Sequence, residues 1–163
     1  MTGLPPLDLA SGPLLVAIGP GGSGKSTAAG RIGVPVISLD TLRQEIGGDA
    51  GDQSVTPAAV ARQDALLEEY LSAGTAVLLD STNVEVHVRA ALVERARRYG
   101  RPIVALRLLP DLDTCLSRNR LRPPNPRVPD DVLRWQYDLA AAATPDALIA
   151  EGFSAVHEIT TTL

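Results

Sequence analysis

The sequence predicts an α/β fold: a three-layer sandwich in which helices cover both faces of a five-stranded parallel sheet. Three observations predict it. Strand-like runs recur at Leu14–Ile18, Val34–Leu39, Ala76–Leu79, Ile103–Leu109 and Ala155–Ile159. Helical patterns lie between them, the order expected when parallel strands are joined by crossovers. The first run also leads directly into Gly19-Pro20-Gly21-Gly22-Ser23-Gly24-Lys25-Ser26, the GxxxxGK[ST] pattern of a phosphate-binding loop.

Met1 to Pro13 lack both a basic start and a long apolar run, and read as a loose leader ahead of a single domain spanning 14–163. Leu14–Ile18 is apolar without periodicity, as in a strand buried on both faces. Gly19, Gly21, Gly22 and Gly24 let the backbone turn sharply, so that its N–H groups, with that of Ser23, can face phosphate oxygens. Ser26 and Thr27 then open a helix whose positive end favours the anion. Lys25 is the chain's single lysine, against fourteen arginines. The exception is physical: a compact ammonium on a thin stem slips between two phosphates where a wide planar guanidinium does not. The loop therefore predicts a nucleoside-triphosphate site, with Lys25 on the β- and γ-phosphates and the Ser26 hydroxyl on Mg²⁺.

After the second strand comes Ser38-Leu39-Asp40-Thr41-Leu42-Arg43. A helix starting near Asp40 would set Asp40 and Arg43 one turn apart on the same side. The carboxylate could then take a proton from an attacking hydroxyl while the arginine grips a phosphate. Local sequence fits equally well with Asp40 as a plain helix cap. Pro57–Ala73 reads as a helix, with Thr56 as N-cap and Gly74 as C-terminal cap.

Leu78-Leu79-Asp80 ends the third strand like a Walker B element, whose carboxylate orients Mg²⁺ or its water. Thr82–Tyr99 reads as the next helix, with Thr82 and Glu85 at capping-box spacing and Val88, Leu92, Ala96 and Tyr99 on one face. Arg95, Arg97, Arg98 and Arg101 at its far end read as a solvated basic face. Arg118, Arg120, Arg122 and Arg127 then crowd into ten residues broken by Pro123, Pro124 and Pro126. Prolines forbid one continuous helix there. The segment reads as a stiff lid around 118–130 whose arginines close over a triphosphate.

The bulk properties narrow the class. At 163 residues the chain makes one domain with a continuous core. The single Cys115 excludes an internal disulfide and fits a reducing, cytoplasmic setting. Cys115 sits between Leu112 and Leu116 as buried filler, and His87 and His157 have no clustered partners for a zinc site. A net charge of −4 does not describe a protein that coats nucleic acid, though it leaves room for a local basic site. No membrane span is visible.

Taken in register, these motifs resemble the kinase domain of bacterial polynucleotide kinase/phosphatase RNA-repair proteins, and more distantly that of phage polynucleotide kinase. The resemblance runs from about Leu14 to His157. It covers the phosphate loop, Ser38/Asp40/Arg43, Asp52-Gln53-Ser54-Val55-Thr56, Asp80-Ser81-Thr82-Asn83, Arg118-Asn119, Arg122 and Arg127. It implies a P-loop NTPase fold of the adenylate-kinase-like kind and an ATP- and Mg²⁺-dependent kinase acting on 5′-hydroxyl ends of RNA or DNA. On that resemblance Asp40 is the general base, Arg43 holds the acceptor's 3′-phosphate, and Ser26 and Asp80 serve the metal. Arg118, Arg122 and Arg127 are lid contacts, and separate repair enzymes are possible companions. Two readings compete on the same scaffold: a kinase for a nucleoside, sugar or antibiotic hydroxyl, and a nucleotide-dependent switch with no acceptor but water.

Overall fold

The computed structural model describes residues 5–48, 53–123 and 127–160. Five strands, β1 (Leu14–Ile18), β2 (Val36–Ser38), β3 (Val77–Asp80), β4 (Ile103–Arg107) and β5 (Ala155–Glu158), form one sheet in the order β2-β3-β1-β4-β5. All four pairings are parallel. Seven helices connect them among the described residues: α1 (Lys25–Ile32), α2 (Leu39–Gly47), α3 (Thr56–Ala73), α4 (Val86–Arg98), α5 (Leu112–Arg120), α6 (Asp130–Ala142) and α7 (Pro145–Glu151).

The three layers follow from the pleat of β1, whose five residues are all buried. Successive side chains point to opposite faces. Leu14, Val16 and Ile18 join a core with Leu42 of α2, Leu67 and Leu71 of α3 and Leu92, Val93 and Ala96 of α4. Leu15 and Ala17 face the other way, onto Ala28 and Ala29 of α1. A third cluster, Cys115, Leu116 and Leu133, joins α5 to α6 beneath the lid, so the lone cysteine is core filler as its spacing predicts.

Several boundaries move, each for a local reason. The second strand stops at Ser38 rather than Leu39, because the Ser38 hydroxyl accepts the Thr41 N–H and turns the chain into α2. The fourth strand ends at Arg107, two residues short of Leu109. The fifth ends at Glu158, before Ile159, and the third takes in Asp80. Thr56 is the first residue of α3, not its cap, and Gly74 closes that helix in the left-handed region as expected.

The capping box fails: α4 begins at Val86, and Glu85 precedes it without a side-chain cap bond. Asn83, at φ 49, has already bent the chain, so Thr82 stands outside the helix. Val88 is consequently exposed, and Arg89 takes the buried place on that face. Nor is the basic run uniformly solvated. Arg95 pairs with Asp64 and Glu68 of α3, and Arg101 Nε donates to the Leu71 carbonyl. Leu7 and Leu9 of the segment before β1 pack against the second core cluster. Met1–Leu4, Asp52, Pro124 and Pro126 lie outside the described residues.

Candidate active site

Parallel sheets open their ligand sites beyond the carboxyl ends of the strands, and strand order decides which ends meet. β1 lies beside β3, and β3 beside β2, with Ser38 opposite Asp80 in the register. The phosphate loop, the Asp80 segment and the start of α2 are thereby brought together. They line a cleft of about 880 Å³ whose remaining wall is the lid and α6.

The loop closes on itself. Lys25 Nζ donates to the Pro20 carbonyl at 2.7 Å and lies 3.4 Å from Ser23 Oγ. Burial pushes its ammonium down to about 8, and Arg122 adds to the depression, against an opposing pull from Asp80. Close backbone approach explains two of the glycines. A Cβ at Gly22, whose φ is +74°, would come within 2.5 Å of the Cys115 carbonyl. One at Gly19 would come within 2.4 Å of the Leu108 carbonyl. Gly19 does not line the cleft, whereas Gly21, Gly22, Ser23, Gly24, Lys25, Ser26 and Thr27 do. Its contribution is steric, letting the chain leave β1 while its N–H donates to the Thr82 carbonyl.

Ser26 Oγ donates to Asp80 Oδ2 at 2.9 Å, which sets the two expected metal ligands side by side. Among the described residues no group of three or more His, Cys, Asp and Glu could hold a metal ion. Mg²⁺ does not need one, since it keeps waters and takes one or two protein oxygens plus phosphates. The donor set therefore fits Mg²⁺ bound with a nucleotide.

Asp40 lies on the opposite wall. The cap of α2 is Ser38, so the carboxylate has no capping duty, and that reading of Asp40 falls away. Arg43 Nη2 donates to Asp40 Oδ1, and Arg122 Nη2 reaches within 3.7 Å of Oδ2 from the lid. Arg43 is 10% exposed along its side chain and Asp40 43%, so the acid is the more accessible of the pair.

The lid has a fixed neck. Buried Asn119 donates to the Val128 carbonyl at 2.7 Å and accepts the Val128 N–H at 3.2 Å, pinning two points nine residues apart. Arg118 Nη1 reaches the Gly22 carbonyl at 3.4 Å, and the Gly21 N–H donates to Gln136 Oε1 of α6 at 3.0 Å. Arg127 turns back, its Nε donating to the Arg122 carbonyl at 3.1 Å, yet it still lines the cleft. Arg120 points elsewhere, to Asp130. The sequence pattern picked out Asn119 without a role and gave no sign of Gln136, whose helical neighbours Trp135 and Tyr137 look like ordinary packing residues.

Behind the site, Asn83 Nδ2 donates to the Ala17 carbonyl at 2.8 Å, tying the turn after β3 to β1. Arg89 supports that turn from below. Its Nη1 donates to the Asn83 carbonyl, while Nε and Nη2 make a two-pronged pair with Glu151 at 2.8 Å each. Neither Arg89 nor Glu151 carries a sequence signal, because their pairing depends on α7 folding against α4.

The architecture is a parallel α/β sandwich with a phosphate-binding loop after its central strand. Residues 14–143 match the AAA domain family, and the chain belongs to it. No curated protein matches the chain in sequence. Similar folds occur in the AvrRxo1-ORF1:AvrRxo1-ORF2 crystal structure with ATP, at TM-score 0.69 and 14% identity over 84% of this chain and 49% of that one. The PezAT chromosomal toxin–antitoxin system of Streptococcus pneumoniae gives TM-score 0.60 and 20% identity, over 89% and 67%. Shikimate kinase from Acinetobacter baumannii in complex with shikimate gives 0.52 and 20%, over 92% and 85%. At these identities the likeness is one of fold. The chain spans about half the length of the chains it resembles in the AvrRxo1-ORF1:AvrRxo1-ORF2 structures. Among the described residues no helix is long and apolar enough to cross a membrane.

Proposed function

We propose that this protein transfers the γ-phosphoryl group of ATP to a hydroxyl, and that the hydroxyl is the 5′ end of RNA or DNA. The observation that carries the phosphotransfer reading is Asp40: a carboxylate free of capping duty, facing the cleft that Lys25, Ser26 and Asp80 also line. A switch that uses only water has no need of such a group opposite its phosphate loop.

The chemistry is a single displacement. The acceptor oxygen forms a bond to the γ-phosphorus, the β–γ bridging P–O bond breaks, ADP leaves, and the hydroxyl proton passes to Asp40. In a loose transition state that proton leaves late, so positioning and charge neutralisation dominate over basicity. Lys25 and the loop amides hold the phosphates in line. Arg118, Arg122 and Arg127 bring positive charge to the equatorial oxygens from the lid side. Ser26 and Asp80 would hold Mg²⁺, which when bound would supply further neutralisation of phosphate charge. Arg43 keeps the Asp40 carboxylate in place.

The polynucleotide acceptor is supported by the ordered motifs and by the arginines that ring the cleft. One observation favours a small-molecule hydroxyl instead: Arg43 is mostly buried and already engaged with Asp40, which leaves it little to offer a 3′-phosphate. A direct comparison decides. Labelled γ-phosphate from Mg·ATP is offered to 5′-OH RNA and DNA oligonucleotides, a 3′-nucleotide, free nucleosides, a sugar and no acceptor. Label on oligonucleotide ends, lost in Asp40→Ala while ATP binding persists, is the expected result. Label on small hydroxyl compounds alone would discard the polynucleotide acceptor, and free phosphate regardless of acceptor would discard the kinase reading.

A further inference from the structure

We infer that Gln136, on α6 behind the lid, donates a hydrogen bond to the terminal phosphoryl group of the bound nucleotide, so that this residue distinguishes a triphosphate from a diphosphate. The inference rests on the reading that the cleft binds ATP. Gln136 stands 115 residues from Gly21 in sequence, and its Oε1 accepts the Gly21 N–H at 3.0 Å. That bond settles which way round the amide sits, because only the oxygen can accept. The Nε2 group therefore points away from Gly21 with two N–H donors, and among the described residues nothing in the protein accepts from it. Gln136 itself lines the cleft.

The position has a built geometry. Gly21 lies between Pro20, whose carbonyl takes Lys25, and Gly22, whose carbonyl is met by Arg118. Gln136 thus lines the same cleft as Lys25 and Arg118, the two cations that meet the loop carbonyls. The loop and α6 are in direct packing contact here: a Cβ built at Gly21 would stand at ordinary van der Waals distance from Val128 Cγ2 (3.4 Å) and Gln136 Oε1 (3.5 Å). Leu133, one turn earlier on α6, is fully buried, so the helix that carries Gln136 is anchored rather than loose. The Asn119–Val128 clamp holds the chain just ahead of α6. A neutral amide suits the place. It adds donors for an anion without adding a further positive charge beside Lys25, Arg118 and Arg122, and donors to a charged oxygen make the stronger hydrogen bonds.

Two substitutions separate this role from simple support of the loop. Gln136→Leu removes both the acceptor and the donors. Gln136→Glu keeps an oxygen to accept from Gly21 but replaces the donors with a carboxylate oxygen. Calorimetric titration of the full chain with Mg·ATP and with Mg·ADP reads both effects. The expected result is that Gln136→Leu weakens ATP about ten-fold, the loss of one hydrogen bond to a charged group, and ADP less than about two-fold. Gln136→Glu should weaken ATP further still. Wild-type ATP affinity in Gln136→Glu would overturn the inference, since acceptance from Gly21 would then be the whole role. Equal losses for ATP and ADP in Gln136→Leu would overturn it too. A wild-type protein that binds neither nucleotide would sink the ATP reading itself, a result distinct from both. Should Gln136→Leu not fold, the comparison of Gln136→Glu with wild type still decides.

Discussion

Raising the pH above about 8 should strip the nucleotide site of its central charge, and the size of the effect follows from the surroundings of Lys25. Burial lowers the ammonium from its ordinary 10.5 to about 8 in the free protein. Triphosphate oxygens stabilise the charged form, so ATP binding must draw a proton onto Lys25 wherever the free protein has begun to lose it. If only the protonated form binds tightly, affinity follows the protonated fraction and falls about five- to sixfold from about pH 8 to about pH 9. The ATP phosphates are fully ionised across this window and contribute no proton of their own. Calorimetry in two buffers of different ionisation enthalpy counts the protons directly. About half a proton should be taken up per ATP at about pH 8, rising toward one at about pH 9. The same shift has a stability consequence in the free protein. The unfolded chain holds the lysine proton up to about 10.5 while the native state releases it near 8. Between those values the unfolded state binds more protons, so native stability rises with pH through that window, by about 3 kcal/mol in all. Affinity and proton count both flat from about pH 8 to about pH 9 would refute the reasoning, because a solvated lysine would still be fully charged there.

Two further outcomes follow from the supporting contacts. Arg89→Met should cost about 3–5 kcal/mol in urea unfolding, because Arg89 is 2% exposed and its loss leaves the Glu151 carboxylate without its partner. Adding Glu151→Gln should recover part of that loss, and strictly additive effects in the double mutant would show the pair to be uncoupled. Asp80→Asn should raise the Mg²⁺ concentration needed for half-maximal turnover by about ten-fold while leaving metal-free nucleotide binding near wild type. An unchanged Mg²⁺ dependence would remove Asp80 from the metal site.

Much of the candidate site was legible because its chemistry is local. The phosphate loop needs glycines, one lysine and one hydroxyl within eight consecutive residues, and Leu14–Ile18 before it needs only continuous apolarity. Asp40 and Arg43 are three residues apart on one helix, so their pairing follows from helical geometry alone. The capping box fails although Thr82 and Glu85 have the right spacing, because Asn83 takes a left-handed conformation between them and postpones the helix. Arg95 and Arg101 depart from the solvated face expected of them, because a basic run looks the same whether water or a neighbouring helix's carboxylates and carbonyls receive it.

The sequence by itself determined the sheet-and-helix order, the nucleotide loop and the residue types that could handle a hydroxyl and a metal. Each of these is a pattern that a few neighbouring residues either have or lack. Whether Asp40 capped its helix or faced the cleft was decided only when Ser38 took the cap. Ser26 and Asp80, 54 residues apart, meet because β3 chose β1 as its neighbour. Gln136, Asn119 and the Arg89–Glu151 pair gain their places from α5, α6 and α7 packing back on the sheet. Such contacts join residues far apart along the chain, and no local pattern encodes them.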